Sequence, residues 1–332
     1  MTILVTGGAG YIGSHMVHEL TDAGEPVVVL DNLSTGFRYL IPAAVQFVAG
    51  STGDRTLVGE LIARHNITSI IHFAASIVVP ESVADPLAYY SNNTMNTCAL
   101  LDVAIKAGVQ HFIFSSTAAV YGETSDAPVR ENAPTTPISP YGTSKLMSEI
   151  MIHDAAKAHG LRFVILRYFN VAGADPKLRT GQATPAATHL IKVACETAVG
   201  KRQKMSVFGT DYPTPDGTCI RDYIHVSDLV QAHSVALAHL RGGGASATFN
   251  CGYGRGSSVL EVINAVRRAC GRDFPVEISG RRPGDAPALV ANVDRIHATL
   301  PWRPRFQNLD TIVSHALAWE KQLANRRKNA VA

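Results

Sequence analysis

The sequence predicts an α/β fold: a doubly wound, Rossmann-like parallel sheet followed by a smaller, loop-rich C-terminal lobe. In the first half of the chain, short continuous apolar runs alternate with helical segments. A glycine-rich turn joins the first apolar run to the first helix. After about residue 170 the elements shorten, and Gly/Pro-rich stretches separate them. Repeated β-α-β alternation is typical of a parallel sheet with helices on both faces.

The predicted strands are rich in Val, Ile and Phe, and their apolar runs are continuous rather than alternating. Such runs indicate strands that are buried on both faces, as in a parallel sheet. They are Ile3–Thr6, Val27–Asp31, Val45–Val48, Ser69–Ala74, His111–Ser115 and Phe163–Arg167.

Helices are predicted between these strands, and capping residues indicate where two of them begin. Asp54 is a plausible N-cap, and Ser139 is followed by a proline at the first helical position. The predicted helices run from Gly13 to about Gly24, from Asp54 to near His65, from about Asn93 to Gly108, and from Ser139 to Gly160.

Composition excludes several classes of function. The net charge is only +3, from 30 basic and 27 acidic residues, so no nucleic-acid or membrane partner is predicted. The five cysteines are scattered without a CxxC pair, and neither a disulfide framework nor a metal site is expected. No apolar run reaches the roughly 18 residues of a membrane span. We therefore expect a cytoplasmic protein.

The glycine-rich turn predicts a dinucleotide site. Gly7, Gly10 and Gly13 follow the first strand and open a helix, where backbone N–H groups can approach a pyrophosphate. Asp31 ends the second strand, where a carboxylate accepts hydrogen bonds from ribose hydroxyls and repels a 2′-phosphate. The next residue is Asn32 rather than arginine. This pattern favours NAD over NADP, and we predict an NAD-binding domain over residues 1–170.

Tyr141 and Lys145 form a YxxxK pair at the start of the fourth helix, and i, i+4 spacing places both on one face. Taken alone, such a pair is most often an ordinary surface pair. Here it follows a dinucleotide signature and a strand that ends in Ser115-Ser116-Thr117. Lowering a tyrosine pKa by three units takes roughly 4 kcal/mol, which two partly desolvated cations at close range can supply. The pair therefore predicts a catalytic base and its cation.

These motifs together resemble the extended short-chain dehydrogenase/reductase family. The stretches Leu4–His15, Asp31–Leu33, Leu166–Asn170 and the segment DYPTPDGTCIRDYIHV at residues 211–226 bring the resemblance closer to its UDP-hexose 4-epimerases, over essentially the whole chain. The resemblance implies reversible C4 inversion between UDP-glucose and UDP-galactose through a 4-keto sugar, with tightly bound NAD. It implies that Tyr141 takes the 4-hydroxyl proton, Lys145 lowers the Tyr141 pKa, and Thr117 contacts the 4-oxygen.

The resemblance also assigns the remaining binding residues, and it makes residues 171–332 a UDP-sugar lobe, part of which (within 218–241) returns to the first domain. The implied cofactor contacts are Gly7, Gly10, Tyr11, Ile12, Gly13, Asp31, Asn32, Ser51, Thr52, Phe73, Ala74, Asn92, Ser115, Tyr141, Lys145 and Phe169. The implied substrate contacts are Thr117, Tyr141, Asn170, His189, Phe208, Arg221, Tyr223, Arg282, Asp285 and Leu289.

Alternatives remain open at this level. Dehydratases and decarboxylases of this fold need an extra acid or base after the catalytic Thr/Ser, whereas Ala118 and Ala119 cannot transfer protons. The substrate could still be a UDP-N-acetylhexosamine, a UDP-pentose or a UDP-uronate. A remote alternative is a non-catalytic NAD-binding sensor, against which the intact Thr117, Tyr141 and Lys145 argue.

Some positions depart from the family pattern. Ser51 stands where an aspartate often meets the adenine, and Ile77 replaces a lysine of some relatives. Lys192 stands where a proline is common, and the sequence gives no function for it. Leu289 falls at the position that borders the C2 substituent of the sugar, where a tyrosine excludes an N-acetyl group. The resemblance further implies a homodimer that pairs residues 93–108 and 140–159 of each subunit.

Overall fold

A seven-stranded parallel sheet forms the centre of the computed structural model, which describes residues 1–124, 128–282 and 284–331. The strands are β1 Thr2–Thr6, β2 Val27–Asp31, β3 Gln46–Ala49, β4 Ile67–His72, β5 His111–Thr117, β6 Arg162–Tyr168, β7 Asn170–Ala172, β8 Met205–Phe208, β9 Ile220–Arg221, β10 Tyr223–His225, β11 Ala247–Cys251, β12 Ser257–Ser258, β13 Val276–Ser279 and β14 Ala288–Leu289.

The strand order confirms the predicted doubly wound sheet. Across the sheet the order is β11-β6-β5-β4-β1-β2-β3, and every neighbouring pair is parallel. The chain thus starts in the middle, winds to one edge through β3, and returns to the other side through β4. Ligands of such sheets bind where the strand order reverses, outside the carboxyl ends of the strands. In this protein that point lies between β1 and β4.

Helices cover both faces of the sheet and build the second lobe. They are α1 Tyr11–Asp22, α2 Arg55–His65, α3 Val79–Ala84, α4 Pro86–Tyr89, α5 Asn96–Lys106, α6 Pro140–His159, α7 Leu190–Ala198, α8 Val226–Arg241, α9 Val259–Cys270, α10 Asp294–Thr299 and α11 Leu309–Val331. Both predicted N-caps are present, since Asp54 accepts a hydrogen bond from Leu57 N at 3.0 Å and Ser139 accepts one from Gly142 N at 3.2 Å.

Two apolar cores lie against the sheet because successive strand residues point to opposite faces. Ile3 and Val5 of β1 pack with α1 and α8, whereas Leu4 packs with α2 and α5. A third core joins α7, α9 and α11 in the C-terminal lobe. Continuous apolar runs were therefore the right signal for these strands.

Two elements differ from the sequence-based expectation. The third helix does not begin at Asn93, because a π-helical turn, Tyr90–Met95, leads from α4 into α5. The sheet also has a seventh strand, β11, which the sequence did not reveal. Polar Thr248 and Asn250 are buried in this strand, so it lacks the continuous apolar run used to recognise the others.

The C-terminal half contributes to both lobes. Strand β11 extends the main sheet beside β6, and α8 packs on α1, β5 and β6. The division into residues 1–170 and 171–332 stays a prediction.

Among the helices of the described residues, none is both long and apolar enough to cross a membrane.

Candidate functional site

The glycine turn after β1 leaves room for a ligand at the start of α1. Gly7 has a φ of +68°, and a Cβ there would lie 2.6 Å from Ala74 N. A Cβ on Gly13 would lie 2.1 Å from the carbonyl oxygen of Gly7. Helix α1 begins at Gly10 without a side-chain cap, so its first N–H groups can donate to a bound anion. The turn therefore fits a pyrophosphate.

Asp31 is fixed at the end of β2. Its Oδ2 accepts a hydrogen bond from Ala9 N at 2.9 Å, and its Oδ1 accepts one from Leu33 N at 2.7 Å. Each carboxylate oxygen keeps a second lone pair for a ribose hydroxyl. Asn32 follows in an exposed position. Leu33, which the sequence analysis did not single out, has a φ of +58°, and this uncommon left-handed conformation turns the chain at the ribose end of the site.

The segments after β3 and β4 carry other predicted cofactor residues, of which Phe73 and Ala74 lie next to Gly7. Ser51 Oγ accepts a hydrogen bond from Gly53 N at 3.1 Å, and Thr52 is buried next to it. Phe73 N donates to Thr6 O at 3.0 Å, which fixes the start of the loop that continues through Ala74. Asn92, in the π-helical turn, donates to Ser76 Oγ at 2.9 Å. Ile77, in the lysine position of some relatives, is 49% exposed.

Lys145 and Tyr141 meet the end of β5. Lys145 Nζ donates to Ser115 O at 2.7 Å, and burial lowers the pKa of Lys145 to about 7. Thr117 is the last residue of β5 and hydrogen-bonds the Tyr141 side chain. Tyr89 packs edge-on to the Tyr141 ring, with centroids 6.5 Å apart. The structure thus brings the three predicted catalytic side chains together.

The protein chain by itself does not favour the Tyr141 phenolate. Burial raises the pKa of Tyr141 above its ordinary value, and the hydrogen bond with Thr117 is the interaction that opposes the rise. That Lys145 lowers this pKa in the filled site stays a prediction. The expectation had also counted the positive nicotinamide ring, a charge that belongs to the cofactor and not to the chain.

A buried polar network behind this cluster was missed by the sequence analysis. Glu149, one helical turn after Lys145, forms a buried ion pair with Arg167 at 2.6 Å and accepts a hydrogen bond from Ser116. Arg167 also donates to Tyr121 OH at 2.9 Å. Burial lowers the pKa of Lys145, and Glu149 is the charge that opposes this. The signal available in the sequence was a carboxylate four residues beyond the lysine.

Four predicted substrate residues lie together in the C-terminal lobe. Arg221 ends β9 and donates to Ala286 O at 2.8 Å, and it pairs with Asp285 at 3.3 Å. Arg282 lies over the Phe208 ring, with its Cζ 4.0 Å from the ring centroid, and its Nε is 3.5 Å from Asp285. Two guanidinium groups beside one carboxylate leave an excess positive charge, which suits a diphosphate.

Asn170, His189 and Tyr223 line a common pocket at the base of the same lobe. Asn170 and Tyr223 face each other as register partners in the two-stranded β7–β10 sheet. His189 caps α7, and its Nδ1 lies 2.9 Å from Gln182 Nε2. Burial lowers the pKa of His189, so at neutral pH it offers a hydrogen bond and no charge. The sequence analysis did not single out Gln182, which also lines the pocket.

Leu289 lies between the two halves of the site. It is the register partner of Arg221 in the β9–β14 pair. Its half-buried side chain packs against a cluster that includes Ala118 and Phe169. Ala118 directly follows Thr117 in the chain, so the cluster that Leu289 packs against adjoins a predicted catalytic residue.

Three buried histidines outside the predicted sites have protein partners. His72 is held between Thr6 Oγ1 at 2.6 Å and Thr97 Oγ1 at 2.9 Å, and burial lowers its pKa to about 3. His111 contacts Arg162, and His225 contacts His315. Within the described ranges, no three His, Cys, Asp or Glu side chains are grouped so that they could hold a metal ion.

Comparison with known proteins supports this geometry. A sequence model of the NAD dependent epimerase/dehydratase family matches residues 3–252. The chain is 59% identical over 321 residues to a UDP-glucose 4-epimerase of Azospirillum brasilense, covering 97% of this chain and 92% of that protein. The crystal structure of UDP-glucose 4-epimerase from Brucella ovis in complex with NAD superposes with a TM-score of 0.93 at 44% identity, covering 96% and 97% of the two chains. The UDP-Glc/GlcNAc 4-epimerase of Campylobacter jejuni superposes at 0.85 with 48% identity, covering 97% and 99%.

Proposed function

Because the chain belongs to the NAD-dependent epimerase/dehydratase family, we propose that it is a 4-epimerase that interconverts UDP-glucose and UDP-galactose with tightly bound NAD. The observation that carries this proposal is the convergence of Thr117, Tyr141 and Lys145 at the carboxyl end of β5, in the same parallel sheet as the strand that leads into the glycine turn. The UDP-glucose 4-epimerases of similar sequence and structure support the same substrate.

The cofactor site fits NAD on two features of the chain. The Gly7–Gly13 turn would hold the pyrophosphate, since side chains at Gly7 and Gly13 would collide with backbone. Asp31 would bind the adenosine ribose and would repel the 2′-phosphate of NADP. NAD, when bound, accepts the hydride from C4 and returns it to the opposite face of the same carbon.

Tyr141 handles the proton of the 4-hydroxyl in this proposal. Thr117 would share the hydrogen bond to the 4-oxygen and orient it, and the Lys145 ammonium would favour the phenolate. A buried site raises the pKa of an unassisted tyrosine, so the phenolate depends on positive charge gathered around it. The hydrogen bond from Lys145 to Ser115 O fixes the ammonium for that role.

The residues after Thr117 favour epimerisation over elimination. Ala118 and Ala119 form a short helical turn, and Ala119 N donates to Thr117 Oγ1 at 3.1 Å. Neither side chain can donate or accept a proton. The proposal therefore assigns no additional acid or base to the positions after Thr117, and inversion through a ketone needs none there.

UDP would be held by the C-terminal lobe. Arg221 and Arg282 would bind the diphosphate, with Asn170 and His189 donating to it or to the sugar. Asp285 would accept from the uridine ribose, and Phe208 would border the uracil with Tyr223 nearby. After oxidation the 4-keto sugar must turn about its link to the diphosphate. An anchor placed on UDP rather than on the sugar permits that turn.

A 4-epimerase acting on other UDP-sugars is the main alternative. The Campylobacter jejuni relative is named for both UDP-Glc and UDP-GlcNAc. Leu289 is smaller than tyrosine and larger than cysteine or serine, so its volume alone does not select between them. A non-catalytic NAD-binding role would leave the Tyr141–Thr117 contact without a purpose.

We also propose a homodimer that works in the cytoplasm. Leu87, Met95, Met147 and Ile150 are 75%, 66%, 45% and 53% exposed. They lie on the neighbouring segments α4, the π-helical turn and α6. Apolar side chains this exposed on adjacent helices indicate a protein interface. The cysteines are all free thiols, which agrees with a reducing compartment.

The proposed function is tested by incubating the pure protein with UDP-galactose and no added cofactor. UDP-glucose should accumulate until the two sugars reach equilibrium, and denaturation should release NAD in near-equal amount to protein. An absolute requirement for added NAD, release of NADP, or no conversion by folded protein would each count against the proposal.

A further inference from the structure

Lys192, which stands where relatives often have proline, is buried within α7 and joined to the C-terminal helix. Its Nζ donates to the Gln182 carbonyl oxygen at 2.7 Å and to the Glu320 carboxylate of α11. Glu196, one turn further along α7, lies 3.5 Å away. Lys192 and Glu320 are both almost completely buried. The ammonium group thus has two hydrogen-bond acceptors and a second nearby carboxylate within the protein.

The carbonyl group that Lys192 holds belongs to the wall of the proposed substrate pocket. Gln182 O also accepts a hydrogen bond from Trp319 Nε1 of α11 at 3.2 Å. The side chain of the same residue contacts His189 Nδ1 at 2.9 Å. Gln182 and His189 line the pocket together with Asn170. Gln182 therefore links helix α11 to His189, which is a predicted ligand of the diphosphate.

The charge balance around Glu320 gives Lys192 a second effect. Glu196 has two further partners, since Lys201 contacts it and Arg202 lies 2.6 Å from it. Burial raises the pKa of Glu320, and Lys192 is the strongest influence in the opposite direction. Glu320 also lines the pocket. Without the ammonium, a poorly compensated buried carboxylate would face the place where a diphosphate has to bind, and like charges repel.

We propose that the Lys192–Glu320 pair is a positioning device for the UDP-sugar. This inference rests on the proposed function, in which the pocket takes the diphosphate and sugar. The pair holds Gln182 and His189 in the orientation that the ligand needs and cancels the charge of Glu320. The C-terminal helix thereby sets substrate affinity through this pair.

The decisive variant replaces both members of the pair by apolar residues, Lys192→Met with Glu320→Leu. Apolar replacement of a whole buried pair is often neutral or stabilising, whereas removal of one member leaves a buried charge. The double variant should keep the parental Tm, with kcat within about twofold of the parent. KM for UDP-galactose and the Kd of UDP should rise about tenfold or more, because binding and not the chemical step is affected.

The control is the Arg241–Glu25 ion pair at the C-terminal end of α8, in which the two charged groups are 2.6 Å apart. Arg241→Met with Glu25→Leu should leave KM and Kd unchanged. Lys192→Arg preserves a buried cation and should therefore keep most of the parental affinity for UDP. Gln182→Ala leaves the ion pair in place and should raise KM at least threefold. It therefore tests the role of Gln182 in the pocket even if the double variant does not fold.

If the double variant folds and keeps the parental KM and Kd, the proposal is overturned. If the double variant does not fold, a parental KM in Gln182→Ala overturns it. The Kd of UDP is measured by calorimetry and does not depend on turnover. A parent protein that binds UDP but does not convert UDP-galactose would contradict the proposed function and leave the positioning role to be judged on Kd alone.

Discussion

At the scale of single residues, the proposed chemistry depends on Tyr141, whose surroundings work against its role. Burial raises its pKa, while Thr117 opposes that rise. Burial also lowers the pKa of Lys145 to about 7. In the protein alone, a neutral Tyr141 is therefore favoured, and the Lys145 ammonium is partly lost near neutral pH. A bound cation near the phenol would favour the Tyr141 phenolate, and the negative phenolate would in turn favour the Lys145 ammonium, so the base is strongest when the site is filled.

Tyr141→Phe tests this assignment. It removes the hydroxyl and keeps the ring, including its packing against Tyr89. General base catalysis is typically worth about 10² to 10⁴ in rate, so kcat should fall at least about a hundredfold. UDP binding, measured by calorimetry, should be retained because the diphosphate ligands are untouched. Near-normal turnover would remove Tyr141 from the mechanism.

Leu289 governs sugar choice in this account. Crowding a packed pocket typically costs about 1–3 kcal/mol, and roughly 1.4 kcal/mol is tenfold in rate. We expect kcat/KM for UDP-N-acetylglucosamine to be tens of times lower than for UDP-glucose. Leu289→Ser should narrow that ratio and Leu289→Tyr should widen it. If both variants, assayed with both sugars, keep the parental ratio, Leu289 is not the selecting residue.

At the scale of secondary structure, the Rossmann half could be predicted because its signals are local. A continuous apolar run marks a strand buried on both faces, and Asp54 and Ser139 mark helix starts within a few residues. Strand β11 was not predicted because its buried residue Asn250 is polar. Asn250 accepts a hydrogen bond from Tyr121 OH at 2.6 Å and donates one to Val129 O at 2.9 Å. Partners so distant in sequence leave no periodic pattern.

The site shows the same division between local and distant information. Tyr141 and Lys145 are one turn apart on a helix, and the glycine turn is contiguous, so spacing alone brings each motif together. The link between Lys192 and Glu320 spans 128 positions. No local sequence pattern could pair these two residues, because they meet only where α11 packs against α7.

The start of α6 matters beyond stability because it carries Tyr141. Ser139 accepts a hydrogen bond from Gly142 N, and loss of such a cap typically costs about 1 kcal/mol. Ser139→Ala should lower stability by that amount in urea and reduce kcat several-fold, because the first turn can fray. Ser258→Ala removes the cap of α9 and should lower stability with kcat unchanged. Equal kcat in the two variants would refute this link.

At the scale of the whole molecule, the parallel sheet, the second lobe and an exposed apolar surface have separate roles. The carboxyl edge of the sheet gathers the cofactor residues, and the C-terminal lobe supplies the ligands for UDP. The exposed residues Leu87, Met95, Met147 and Ile150 are not among the predicted ligands of either group.

The proposed dimer predicts a defined response to charge in that surface. Light scattering should give twice the chain mass for the parent at micromolar concentration. Met147→Glu with Ile150→Glu should give a monomer, because carboxylates are costly to bury without partners. Glu60→Gln, an exposed change on α2, is the control and should remain dimeric. A monomeric parent would show that this apolar surface has another use.

The central claim is that one carbon loses a hydride to a cofactor that stays bound and then regains it. UDP-galactose labelled with deuterium at C4 tests this most directly, with pure protein and no added NAD. The account predicts UDP-glucose that retains the deuterium at C4, detected by mass spectrometry and NMR. Loss of the label to water, or recovery of unchanged UDP-galactose from folded protein, would contradict it.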